Sequence, residues 1–100
     1  MTDNRISELD VVQVSKNQVS ANLQDEEVIL NMEDGVYYGL NTIGARVWRL
    51  IQEPKTVKEI QETLLEEFDV ESDQCMRKLT DLLLDMERRN LIEVKYERIA

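Results

Sequence analysis

One hundred residues with 42% apolar and 33% charged side chains suit a single soluble domain with a modest core. The formal charge of −9 disfavours phosphate backbones, and no apolar run approaches the roughly 18 residues a membrane span needs. The absence of histidine removes the commonest general base and metal ligand, and the lone Cys75 excludes an internal disulfide.

Inside a helical pattern Cys75 reads as a small buried hydrophobe. The three glycines, at 35, 39 and 44, form no phosphate-binding loop, and no metal-ligand spacing exists. Neither a metal nor a cofactor is therefore expected. Met1–Arg5 carry no apolar signal segment, so the expected location is the cytoplasm. Residues 1–40 carry eight acids and two bases, and residues 41–100 thirteen acids and ten bases.

Residues 1–9 and 97–100 are expected to be loose ends flanking one domain over 10–96. Up to Leu40 the pattern is strand-like. Val11–Val14 and Gln18–Leu23 are short and rich in β-branched residues, and Lys16-Asn17 between them is expected to turn a hairpin. Glu27–Met32 is the clearest strand, with Val28, Leu30 and Met32 on one face and Ile29 and Asn31 on the other. Glu33-Asp34-Gly35 supplies a turn, and Val36–Leu40 returns.

Beyond Leu40 the period becomes helical. Asn41 or Thr42 caps a first helix whose Ile43, Val47, Leu50 and Ile51 share a face, with Trp48 beside them. Pro54 stops it. Thr56-Val57-Lys58-Glu59 is a capping box for a second helix with Val57, Ile60, Leu64 and Phe68 inward. Ser72 is a candidate cap for a third, whose core stripe is Met76, Leu79, Leu83 and Met86. Asn90 ends it in a left-handed conformation, and Leu91–Val94 adds a short strand or an extension. The expected class is α+β: three or four N-terminal antiparallel strands, then three helices covering one sheet face. The order is winged-helix-turn-helix-like with the sheet first.

The chemistry open to such a chain is binding. Val36–Leu40 has no Lys, no Pro and no charge. It is either an edge that accepts an added strand or a covered strand with core tyrosines. If Leu40 points inward, so do Tyr38 and Val36, leaving Tyr37 and Gly39 on the other face. Gly39 allows close backbone approach or a bulge. Leu82-Leu83-Leu84 spreads apolar side chains over about 200°. That width serves either a groove or a helix touching both others. Asp81 and Asp85 share a face, for solubility or to meet a basic peptide. A winged-helix DNA-binding regulator is the rival, but residues 72–90 carry four acids against four bases.

The run Val28–Trp48, with its acidic-Gly turn, aromatic pair, Leu40-Asn41 and Gly44-Ala45-x-x-Trp48 helix start, resembles the PqqD family. Thr56-Val57-x-Glu59-Ile60 and the closing Leu-Leu, Asn90-Leu91-Ile92 fit as well, so the resemblance spans about residues 20–95. It implies a RiPP recognition element, a non-catalytic, winged-helix-like module for ribosomally made, post-translationally modified peptides. The precursor's leader would lie as an added strand on Val36, Tyr37, Tyr38, Gly39 and Leu40. The groove wall would come from Met76, Thr80, Leu83 and Leu84, with Asp73 and Arg77 beside them. The Tyr-Tyr-x-Leu-Asn strand end looks most like the stand-alone lasso-peptide proteins, which serve a cysteine-protease-type leader peptidase and an ATP-dependent cyclase. The alternative is a PqqD-type chaperone presenting its peptide to a radical SAM enzyme. No nucleic acid or membrane partner is implied.

Overall fold

The computed structural model describes residues 6–16, 18–23 and 26–96. Four strands come first: β1 (Val11–Val14), β2 (Gln18–Leu23), β3 (Glu26–Asn31) and β4 (Tyr37–Leu40). Helix α1 (Thr42–Leu50), the two-residue β5 (Lys55–Thr56), α2 (Val57–Glu67), α3 (Ser72–Arg88) and β6 (Ile92–Lys95) follow. The class is α+β and winged-helix-like, as expected from the change of period at Leu40.

The strands form two antiparallel sheets, ordered β5-β1-β6 and β2-β3-β4. The expected β1–β2 hairpin does not form. β1 already has a neighbour on each side, pairing Val12 with Lys55 of β5 and with Val94 of β6. Lys16-Asn17 also lacks the glycine that a tight primed turn favours. The C-terminal end of β1 is tied to helix ends instead: Val14 donates its N–H to the Ile51 carbonyl and Ser15 to that of Leu91.

The hairpin β3–β4 forms where the Asp-Gly turn predicts. Gly35 takes φ +72°, a left-handed value that glycine adopts without a Cβ penalty. The Asp34 carboxylate accepts the Val36 N–H at 2.9 Å, and the Asn31 side chain accepts that of Glu33 at 2.9 Å. Val36 therefore belongs to the turn rather than to the strand, and it is exposed.

Helix termini follow local chemistry. Asn41 caps α1, accepting the Gly44 N–H at 2.8 Å. The Thr56–Glu59 capping box is complete. At α3 the cap position is Glu71, without a side-chain bond, and Ser72 is the first helical residue. The Ser72 carbonyl instead accepts from the buried Gln61 amide at 3.3 Å. Asn90 adopts φ +62° after α3. The Leu91 N–H returns to the Met86 carbonyl and that of Asn90 to Glu87, the paired bonds of a Schellman ending.

One core joins both sheets and all three helices: Val12, Ile29, Val47, Trp48, Ile51, Val57, Ile60, Leu64, Leu79, Leu83, Met86 and Leu91 are all at most 3% exposed. One sequence assignment inverts: Trp48 lies in the centre while Ile43 is 36% exposed. On β3 the alternation left the inward face open, and it is the sparser one, Ile29 with Asn31, while Met32 is exposed. Cys75 is buried, as its position in the helical pattern implied.

The chain before β1 is held from Ile6 onward, so it is not loose over the whole of residues 1–9. Ile6 is buried, and the carbonyls of Asp10 and Glu8 accept the N–H groups of Val57 and Lys58. These are amides that the first turn of α2 cannot satisfy internally. Residues 1–5 and 97–100 lie outside the described residues.

Candidate peptide-binding site

Strand β4 pairs with β3 on one side only, so it is an edge of its sheet. Which of its backbone groups are free follows from the register. The Asn31 N–H donates to the Val36 carbonyl, so Asn31 and Val36 form a hydrogen-bonded pair. In an antiparallel ladder such pairs alternate. With Ile29 opposite Tyr38 and Glu27 opposite Leu40, the main chains of Tyr38 and Leu40 point to β3. Those of Tyr37 and Gly39 point outward. Each offers one N–H and one C=O to a further strand.

Side chains on β4 alternate in step with its backbone groups, the residues bonded to β3 being the more buried. Leu40 is buried and Tyr38 half-buried, while Tyr37 is 69% exposed. A Cβ placed at Gly39 would meet nothing within 4 Å, so the outer surface there is open.

Tyr38 ties this edge to α3. Its hydroxyl donates to Asp85 Oδ2 at 2.8 Å, and the Arg89 guanidinium lies 5.1 Å from its ring centroid. Arg89 also pairs with Asp85 at 3.3 Å. Burial, with the Asp85 carboxylate beside it, pushes the Tyr38 phenol up to about 12. The Tyr38 hydroxyl, and then Arg89, hold Asp85 below the usual carboxylate range despite some desolvation. The three groups set how far β4 and α3 stand apart.

At about 100° per residue, the Asp85 contact defines which flank of α3 faces β4. Gln74, Lys78, Asp81, Leu82, Asp85 and Arg89 fall on that flank, Asp81 toward solvent. It leads into a cavity of about 220 Å³ between the start of α1, the end of α2 and α3, walled by Ile43, Leu64, Phe68, Leu79 and Leu82. Asn41 and Gly44, immediately after β4, form its near rim.

The residues predicted from sequence divide accordingly. Tyr37, Tyr38, Gly39 and Leu40 form the edge strand, with Val36 in the preceding turn. Leu83 is fully buried in the core. Met76, Thr80 and Leu84 are half-buried on the flank away from β4, where Glu87 accepts the Tyr96 hydroxyl beside β6. Asp73 and Arg77 are exposed on that same side of the helix. The structure thus joins the strand to α3 through Asp85 and Arg89, on the flank whose Lys78 and Leu82 line the cavity with Asn41 and Gly44, rather than on the flank of Thr80 and Leu84. The Leu82–Leu84 run showed that α3 has two apolar flanks. Only the Tyr38–Asp85 bond shows which one meets the strand.

Among the described residues no group of three or more acidic, His or Cys side chains could hold a metal ion, and no helix is long and apolar enough to cross a membrane.

Similarity to known proteins identifies the fold and the family. The family model described as "Coenzyme PQQ synthesis protein D (PqqD)" matches residues 26–92. Among solved structures, "TbiB1 in Complex with the TbiA(beta) Leader Peptide" is similar with 34% identity and a TM-score of 0.75, covering 81% of this chain and 94% of that one. "Lasso peptide synthetase B1 complexed with the leader peptide" shares the fold at 17% identity and a TM-score of 0.74, covering 82% and 96%. No curated protein shows a match. With two-thirds of its length under the family model and a relative of this identity over most of both chains, the protein belongs to the PqqD family of RiPP recognition elements, whose members are non-catalytic peptide-binding adaptors.

Proposed function

We propose that this chain binds the leader region of a ribosomally made precursor peptide as a strand added to β4, and presents it to maturation enzymes in the cytoplasm. The observation that carries the reading is the open, uncharged edge, with the outward main-chain groups of Tyr37 and Gly39 beside an apolar, side-chain-sized cavity. Strand addition draws affinity from main-chain bonds and specificity from such pockets. At about 220 Å³ the cavity lies below the roughly 300–1,000 Å³ of small-molecule sites, which suits one peptide side chain.

Other edges fit less well. β6 pairs only with β1, but Glu93 and Lys95 put charge along it, a common guard against strand pairing. β2 is also an edge, yet among the described residues it is β4 that is bonded to α3. The TbiB1 relative was solved with a leader peptide, and its identity to this chain supports a ligand of the same class. The pathway is read from Tyr37-Tyr38-x-Leu40-Asn41, which resembles lasso-peptide proteins. The partners are then a cysteine-protease-type leader peptidase and a cyclase. Presentation to a radical SAM enzyme is the alternative. A short precursor, a protease and a cyclase encoded beside the gene would decide for the lasso pathway.

Gly39→Pro tests the mechanism. Proline there removes an outward N–H while every bond to β3 remains, a placement edge strands tolerate. A labelled leader from the neighbouring precursor gene should bind Gly39→Ala like the native chain and Gly39→Pro at least tenfold more weakly. Circular dichroism should show both variants folded. Equal binding by a folded Gly39→Pro would exclude strand addition at β4.

A further inference from the structure

The cavity beside β4 is apolar, but its lining includes one ionisable cation, Lys78. Lys78 is exposed and has no ion-pair partner among the described residues. Asp81 lies one helical turn on and is also exposed, yet it makes no ion pair with Lys78. At the other end of the same flank, the Arg89 charge is already met by Asp85 and stacked on Tyr38. The charges along the β4-facing flank balance, Lys78 and Arg89 against Asp81 and Asp85, but Lys78 alone of the four lines the apolar cavity, on a chain whose net charge is −9. A lysine stem packing over an apolar wall keeps its ammonium at the rim, where it meets whatever flanks the occupant.

We infer that Lys78 reads a carboxylate next to the apolar side chain that fills this cavity, so that the preferred ligands are peptide segments with Asp or Glu flanking a bulky apolar residue. The inference rests on the strand-addition reading above. It opposes what net charge alone implies, because an acidic chain attracts basic peptides at long range. Contact chemistry overrides that preference at the cavity itself, whose lining holds Lys78 and no acidic side chain.

Short random peptides displayed on phage test this. They are selected against the full chain and against its Lys78→Glu and Lys78→Met variants, each after counter-selection on Gly39→Pro. Because Lys78 is exposed, both variants should fold, which circular dichroism checks. The native chain should enrich Asp or Glu beside a bulky apolar residue. Lys78→Glu should enrich Lys or Arg at that same offset, and Lys78→Met neither. Synthetic peptides from these pools should show about a two- to fivefold preference for the matched sign. The preference should fade toward 1 M salt, where the Debye length is about 3 Å. Pools of the same composition from all three proteins, surviving the counter-selection, overturn the role of Lys78 and leave strand addition standing. If counter-selection empties the native pool, or nothing is enriched, strand addition fails and the role of Lys78 falls with it.

Discussion

Replacing Tyr38 with Phe deletes one hydroxyl from the strut between β4 and α3 and leaves the ring under Arg89. The lost bond to a carboxylate at 2.8 Å should cost about 1 kcal/mol in urea unfolding at neutral pH. The pH dependence follows from the two shifts. The Tyr38 pKa is raised in the folded chain, so its contribution is complete below about 10 and is lost as pH rises toward 12. The Asp85 pKa is lowered, so its contribution is present at neutral pH and is lost as pH falls through its folded value. The gap between native chain and Tyr38→Phe should thus be widest near neutrality and narrow at both extremes. A gap independent of pH would show that the hydroxyl bond contributes nothing. None of this was legible beforehand: Tyr38 and Asp85 are 47 residues apart, and alternation said only that Tyr38 shares a face with Leu40.

At the scale of elements, local chemistry was readable wherever a few neighbouring residues decide the outcome. The Thr56–Glu59 box, the Asn41 cap, the Asp34-Gly35 turn and the left-handed Asn90 all stand where their residue types place them. Asn90 offers a clean test. Alanine at φ +62° meets the steric penalty of the left-handed region, so Asn90→Ala should lose about 1 kcal/mol, whereas Asn90→Gly should retain most of the native stability. Thermal unfolding of the pair measures it. Where an element's role depends on a distant partner, reading failed. Lys16-Asn17 suggested a hairpin, but β1 finds β5 and β6 through residues more than 40 positions away. Similarly, the apolar width of α3 was visible, yet its flanks are distinguishable only once β4 and β6 are placed beside them.

Across the whole molecule, the two sheets share one core through α3, whose Leu79, Leu83 and Met86 lie under 4% exposure. Leu83 is at its centre, and its truncation leaves a cavity bordered by several elements. Leu83→Ala should cost about 2–5 kcal/mol, a large part of the roughly 5–15 kcal/mol expected for a domain of this size. Trp48 fluorescence and far-ultraviolet circular dichroism should report one coincident transition in both proteins, because Trp48 sits in the same core. Two separate transitions would mean that the sheets fold independently.

Composition and short-range pattern determined by themselves that this is an α+β chain without a histidine-based catalytic centre, with its strands first and an uncharged strand ending at Leu40. They could do so because helix periods, caps and turns are set by residues a few positions apart. The tertiary structure alone decided that β4 is an edge, that Tyr37 and Gly39 turn their main-chain groups outward, and that α3 meets it on the flank of Asp85 and Arg89 rather than on that of Thr80 and Leu84. Those outcomes depend on which strands take the available edges and which flank of a two-flanked helix the tyrosine reaches, and both are chosen by packing between segments far apart in the chain.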